Sequence, residues 1–298
     1  MGSVLTAGHV NWDVTLHVDR LPEADGESAI HAQHQSGGGS AANVAVALSG
    51  FEIDTGLIGS VGDDDNGLLA QRELEAAGVS LDGLRVVDDA PTAVKYLLVD
   101  DDGEVAVLGN DGVNEAVSPA DLDRERIRSV DHVHLTGQRP DTAAAIARAA
   151  RAGNAVVSFD PGRRLGDRDY SAALSVADIV FANDREATAV LDDEYAGSAF
   201  SDRLVVVKHG SDGAVAHTPE GSYSHPGFDV DPVDTTGAGD AFAAGFIATI
   251  VETDRRRPAD IERALEYANA CGAITAAREG ARSAPTQTEA EAFLADRF

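Results

Sequence analysis

The sequence predicts an α/β protein with a mostly parallel central sheet and a second, smaller group of strands set apart from it. Three observations carry this. Short apolar segments bounded by Gly, Asp, Pro or Asn alternate with helical patterns, the mark of βαβ units with helices on both faces of a sheet. The 298 residues are 43% hydrophobic, enough for a substantial core, and no low-complexity linker or internal repeat divides them. Residues 14–35 and 92–109 are instead extended and half polar, which does not suit a buried parallel sheet.

The chain opens with an apolar strand at 3–8. Residues 14–35 include HVDRLPEADGESAIHAQHQ, which alternates imperfectly between apolar and polar. Three glycines at 37–39 then precede a helix of small residues. A strand at 55–60 and a helix at 66–77 follow. Residues 92–109 contain YLLVDDDGEVAVLG, a hairpin pattern turning at Asp101, Asp102 and Gly103. Strands at 130–135, 155–159, 179–182 and 204–208 alternate with helices at 141–152 and 183–191. The segment 240–251, DAFAAGFIATIV, is apolar almost all round and predicts a buried helix. Helices at 259–278 and 288–296 end the chain. The expected organisation is one domain over 1–298, with 14–35 and 92–109 forming a small β lid over the core.

Charge narrows the possible partners. The net charge is −28, and Lys95 and Lys208 are the only lysines. Nucleic-acid phosphates and anionic membranes would repel such a chain. No apolar run approaches the ~20 residues that span a bilayer, and the N-terminus lacks a signal-peptide pattern. With Cys271 the sole cysteine, no internal disulfide and no cysteine-built zinc site can form. An acidic, lysine-poor surface suits concentrated salt, which screens its self-repulsion. The reading is a cytoplasmic protein of a salt-accumulating organism; the plain alternative is an ordinary acidic protein.

Residues 234–242, DTTGAGDAF, open directly into the buried helix. A helix start carries unpaired N–H groups and partial positive charge, and glycines let phosphate oxygens approach that backbone. Asp240 in the first turn is either a helix-dipole partner or a general base beside an anion hole formed by Gly237, Ala238 and Gly239. Residues 37–50, GGGSAANVAVALSG, satisfy a dinucleotide fingerprint at Gly37, Gly39 and Ala42. The preceding HAQHQS is too polar for the buried strand that fingerprint requires. The other reading places a substrate against the glycine backbone, with Asn43 bonding a hydroxyl. A triphosphate P-loop is excluded, because both lysines follow valine.

Residues 37–50 and 234–247 resemble the two signature segments of the ribokinase, or PfkB-type carbohydrate kinase, family. The resemblance continues through Asn11–Asp13, 61–67 (VGDDDNG), 183–186 (NDRE), 208–213 (KHGSDG) and 280–286 (GARSAPT). It implies a ribokinase-like three-layer fold and an ATP-dependent kinase. The acceptor would be a hydroxyl of a small sugar or sugar acid of the ribose, fructose or 2-keto-3-deoxygluconate type. Asp240 would be the base, with Gly237, Ala238 and Gly239 as anion hole. Asp13, Gly38, Gly39 and Asn43 would bind sugar hydroxyls. Asn183 and Glu186 would position Mg²⁺ and the nucleotide phosphates, and Lys208, Gly210 and Gly213 would line the nucleotide. A monovalent cation, K⁺ in a potassium-rich cytoplasm, would sit near Asp234, Thr236 and Ser283. An exposed lid edge would allow a homodimer. The rivals are a nucleoside kinase of the same family and a non-catalytic sugar- or nucleotide-binding regulator.

Other features read as structural. Asp63, Asp64 and Asp65 suit a solvated turn, His31, His34, His132 and His134 lack a ligand pattern, and Cys271 suits a core. In 160–165, DPGRRL, Arg163 is a candidate for a substrate carboxylate or phosphate. Glycine stands there where sugar-acid kinases carry asparagine.

Overall fold

The computed structural model describes residues 2–102, 104–191, 200–253 and 257–297. Gly103 of the expected hairpin turn lies outside them. Among the described residues the central sheet has nine strands: β1 (Ser3–Ala7), β4 (Asp54–Gly62), β5 (Ser80–Val87), β8 (His132–Leu135), β9 (Val156–Phe159), β10 (Ile179–Asn183), β11 (Leu204–Lys208), β12 (Ala214–Thr218) and β13 (Gly221–His225). Their order is β13-β12-β11-β10-β9-β8-β1-β4-β5. Pairing is parallel from β5 to β11 and antiparallel at β12 and β13.

Alternation along each strand builds a layer on each face. Ile179 and Phe181 face one core with Val4, Leu204 and Val206; Val180 and Ala182 face the other with Leu5, Val133 and Phe159. The first layer is completed by α1 (Ser40–Gly50), α7 (Ala238–Glu252), α8 (Pro258–Ala276) and α9 (Gln287–Ala295). The second contains α3 (Arg124–Ser129), α4 (Pro140–Ala152) and α5 (Ser171–Leu174). Helix α7 is buried among apolar neighbours, as its all-round apolar pattern requires. It approaches α8 closely because Gly245 has no side chain: a Cβ there would stand 2.9 Å from Cys271 Sγ. No described helix is long and apolar enough to cross a membrane.

A separate four-stranded sheet has the order β3-β2-β6-β7, from β2 (Asn11–Val18), β3 (Ile30–Gly38), β6 (Ala93–Val99) and β7 (Val105–Asn110). It draws on both extended stretches and reaches beyond 14–35 at each end. Trp12 and Val14 point into a third cluster with Ala70 and Leu74 of α2 (Asp65–Ala76). Most of β3 is exposed, so its polar HAQHQS segment belongs to an open sheet and not to a dinucleotide-binding strand.

Strand β5 and the β12–β13 hairpin are absent from the sequence reading. Strand β5 is a half-exposed edge interrupted by Asp82 and Gly83, and β13 is polar on both faces, so neither has a continuous apolar signal.

Candidate active site

Because β1, β8, β9, β10 and β11 run parallel, the segments that follow them emerge at one edge of the sheet. There they meet the start of α7. Gly237 is its N-cap, with φ 80°, and a Cβ on it would lie 2.1 Å from Ala281 O. Only glycine allows both that left-handed backbone and that contact. No side chain caps the helix; the Ala238 N–H turns back to Thr235 O at 3.2 Å, while the Gly239 N–H has no described partner and is open to an anion.

Asp240 sits in that first turn, partly exposed. Helix α1 lies against α7, and Asn43 Nδ2 donates to Asp240 Oδ2 at 2.8 Å. Desolvation pushes the Asp240 carboxyl up to about 6, against the hydrogen bond from Asn43 and the charge of Lys208. Lys208, the last residue of β11, turns inward: its Nζ bonds Asp160 Oδ2 at 2.6 Å, and a Cβ on Gly239 would lie 3.6 Å from that Nζ. The charges of Asp160, Asp240 and Glu186 raise the Lys208 pKa despite burial. A fixed ammonium therefore stands beside the uncapped start of α7.

The NDRE segment forms a reciprocal cap on α6 (Asp184–Leu191). Asn183 Oδ1 accepts from the Arg185 and Glu186 amides, and Glu186 Oε2 accepts from the Asn183 amide at 3.0 Å. Burial, and secondarily the charge of Asp160, raise the Glu186 carboxyl pKa. Its other carboxylate oxygen has no described partner.

Across the edge, Asp13 on β2 pairs in register with Ser36 of β3 and Lys95 of β6. A Cβ on Gly38 would lie 2.0 Å from Asp13 Oδ2, so Gly38 admits the carboxylate against the backbone. Gly39, φ 94°, caps α1 and packs on His9 O. Burial raises the Asp13 carboxyl to about 6, opposed by Lys95 and Arg282. Asp13 Oδ1 and Asn43 Oδ1 are buried acceptors without a partner. Natural proteins rarely leave such atoms unsatisfied unless something else fills them, and sugar hydroxyls are donors of the right kind.

Arg282, which the sequence reading did not single out, is nearly buried behind Gly37 and Gly38. Its Nη1 bonds Glu73 Oε2 at 2.9 Å and its Nη2 reaches Gly38 O at 3.3 Å. The same Glu73 oxygen accepts from the Gly37 amide. Asp160 was another omission: in sequence it only opens an arginine-bearing segment. Arg163 is exposed, whereas Arg164 and Arg168 turn in to Glu115.

Asp234, Thr236 and Ser283 are drawn together around Gly280. Asp234 accepts from the Thr236 and Gly280 amides, at 2.9 and 3.0 Å, and Ser283 Oγ donates to Gly280 O at 2.7 Å. Gly210 and Gly213 lie in the turn after β11, with φ 62° and 85°. Gly210 faces open space and Gly213 packs on His225 O.

Asp64 caps α2 and holds Thr92. His132 and His134 are buried and share Ser158 Oγ; burial lowers the His134 pKa to about 4. Cys271 is buried in α8. Among the described residues no three His, Cys, Asp or Glu side chains cluster as a metal site.

Fold and site together define a carbohydrate kinase. The chain belongs to the pfkB family carbohydrate kinases, whose family model matches residues 1–289. It is 72% identical over 300 residues, the full length of both chains, to an ATP-dependent ribose-1-phosphate kinase of Halopiger xanaduensis. It is 27% identical to a nucleoside kinase of Methanothermobacter thermautotrophicus, over 94% of this chain and 91% of the relative. A ribokinase of Thermotoga maritima superposes with a TM-score of 0.86 at 25% identity, covering 99% of this chain and 100% of the other. The protein is an ATP-dependent sugar kinase with the ribokinase-like fold.

Proposed function

We propose that the acceptor is ribose 1-phosphate, phosphorylated at its primary hydroxyl to give ribose 1,5-bisphosphate. The observation that carries this is the 72% full-length identity to a kinase named for that substrate. The chemistry of the site agrees. Asp13 Oδ1 and Asn43 Oδ1 accept from ring hydroxyls, and Gly38 gives the sugar access to the backbone. The acceptor oxygen forms a bond to the γ-phosphorus as the bond from that phosphorus to the β,γ-bridging oxygen breaks. Asp240 takes the hydroxyl proton. The N–H groups of Gly237, Gly239 and, once released from Thr235 O, Ala238, with Lys208, hold the transferring oxygens. Gly210 and Gly213 leave room for the nucleotide beside β11.

Glu186, with a raised pKa and an unpartnered oxygen, suits a hard cation near the phosphates, and Asn183 fixes its orientation. Mg²⁺ held there would neutralise phosphate charge. The Asp234–Thr236 and Gly280–Ser283 turns offer hard oxygens for K⁺. Arg163 remains available to solvent-side phosphate. The single domain closes with the small sheet as its lid. Val105, Val107 and Leu108 on the β7 edge are more than half exposed and suit pairing with a second copy, which light scattering would show as a dimer. The acidity suits a salt-rich cytoplasm.

The test is ADP release over ribose 1-phosphate, ribose, fructose, 2-keto-3-deoxygluconate and nucleosides. Ribose 1-phosphate should give the highest kcat/KM. A higher value with a nucleoside would transfer the assignment to a nucleoside kinase, and no turnover with any acceptor would favour a binding regulator.

A further inference from the structure

Lysine is almost absent from this chain, yet one of its two lysines stands beside Asp13 and the other beside the start of α7 that carries Asp240. Lys208 adjoins Gly239 on the nucleotide side. Lys95 adjoins Asp13 across the lid sheet, on the same face. Its stem passes over Gly109 of β7, where a Cβ would meet Lys95 Cγ at 3.5 Å. Lys95 is exposed, and its ammonium makes no hydrogen bond or close ion pair to a described residue. Just past the end of β7, Asp111 Oδ2 accepts from Arg164 Nη2 at 2.9 Å.

Arg164 belongs to a preassembled group of two arginines and two acids. Arg164 Nη1 and Arg168 Nη1 both bond Glu115 Oε1, at 2.7 and 2.6 Å. Two guanidinium groups share one carboxylate there, and Asp111, the other acid, is largely solvated. Glu115 follows Asn114, which bonds Asn11 Oδ1 and the Val10 amide, two and three residues before Asp13. Beside this group, Gln138 is fully buried, its backbone oxygen held by Arg168 and Tyr170. Neither side-chain amide atom of Gln138 has a partner. Within a chain of net charge −28, this corner sets two arginines against two acids, lies across the strand end from Lys95, which has no described ion-pair partner, and holds an unsatisfied amide.

We propose that Lys95 and Arg164, with the Gln138 amide, form the subsite for the phosphate that the acceptor already carries. The inference rests on the ribose 1-phosphate reading and names the residues that distinguish that acceptor from unphosphorylated sugars. The lid supplies one cation and the core the other, so the acceptor's phosphate also ties the lid to the core. Glu115 and Asp111 hold Arg164 in place and balance the two arginines, so the added positive charge comes from Lys95.

The experiment compares wild type, Lys95→Met and Arg164→Gln with ribose 1-phosphate and with methyl ribofuranoside as acceptors. Lys95→Arg serves as the charge-retaining control. Binding of ribose 1-phosphate without nucleotide is measured in parallel by calorimetry. Losing one charged contact should raise KM for ribose 1-phosphate roughly 10–100-fold more than KM for the methyl riboside. Lys95→Arg should recover most of that loss, which a merely structural role of Lys95 would not predict. Equal effects on the two acceptors, or none, overturn the subsite while leaving ribose 1-phosphate as substrate. Wild-type binding without turnover, weakened in both variants, upholds the subsite and overturns the substrate. Failure of wild type to bind ribose 1-phosphate overturns both.

Discussion

Asn43 and Asp240 lie 197 positions apart in sequence, and the Asn43 amide donates to the Asp240 carboxylate at 2.8 Å. One member comes from each glycine-rich segment, so this bond joins helix α1 to the start of helix α7. It favours the ionised form of Asp240, the form that accepts a proton, against the burial that disfavours it.

Removing either partner should therefore have a distinct signature. Asp240→Asn should lower kcat at least ~100-fold with a modest effect on nucleotide binding. Asn43→Ala should lower kcat less and move the acidic limb of the pH–rate profile upward, because the carboxylate loses a stabilising donor. Steady-state kinetics across pH separates the two; an unmoved limb in Asn43→Ala would argue against the coupling.

Activity and stability should part company in mild acid. With Asp240 raised to about 6, kcat should fall about tenfold per pH unit below that value. Asp13 and Asp240 bind protons more tightly in the native state than when unfolded. Their contribution thus favours folding as pH drops from about 6 towards 4, and that gain is lost as pH rises again. Glu115, held at about 2 by His9 and the arginines, makes an opposite contribution that starts to be lost only below about 4.5. Thermal melts at about pH 5 should therefore lie at or above those at about pH 7 while turnover has dropped; parallel losses would mean unfolding.

Lys208→Met should raise KM for ATP roughly 10–100-fold, the effect of losing a charge-assisted contact. It also leaves Asp160, Asp240 and Glu186 without their shared cation, so the acidic limb of the rate profile should shift to higher pH. Nucleotide titration and the pH profile together distinguish this from simple destabilisation.

Gly38→Ala places a methyl group where Asp13 Oδ2 stands, at 2.0 Å. Asp13 must move, so acceptor KM should rise at least ~10-fold while nucleotide affinity holds. An unchanged acceptor KM would remove Asp13 from the sugar site.

The acidic surface should make folding salt-dependent. The melting temperature should rise between ~0.1 and ~2 M KCl as self-repulsion is screened. A flat curve would speak against adaptation to salt.

Much of this was legible in the sequence because the informative residues are local. The glycine-rich start of α7 and its aspartate lie in one short segment, and the parallel strands announce themselves as apolar runs between turns. Arg282 and Asp160 were not legible in that way. Arg282 gains meaning only through Glu73, 209 positions away, and Asp160 only through Lys208 on another strand. The NDRE segment carries two meanings in the same atoms, since Asn183 and Glu186 cap a helix whatever else they hold. Strand β5 was hidden because an exposed edge needs no apolar pattern.

Gly280, Ala281 and Arg282 touch three separate parts of the site: the Asp234 turn, the Gly237 backbone and the Gly37–Gly38 segment behind Asp13. One short turn thus backs the start of α7 and the Asp13–Gly38 contact at once, so any shift of its backbone is felt on both sides of the cleft together.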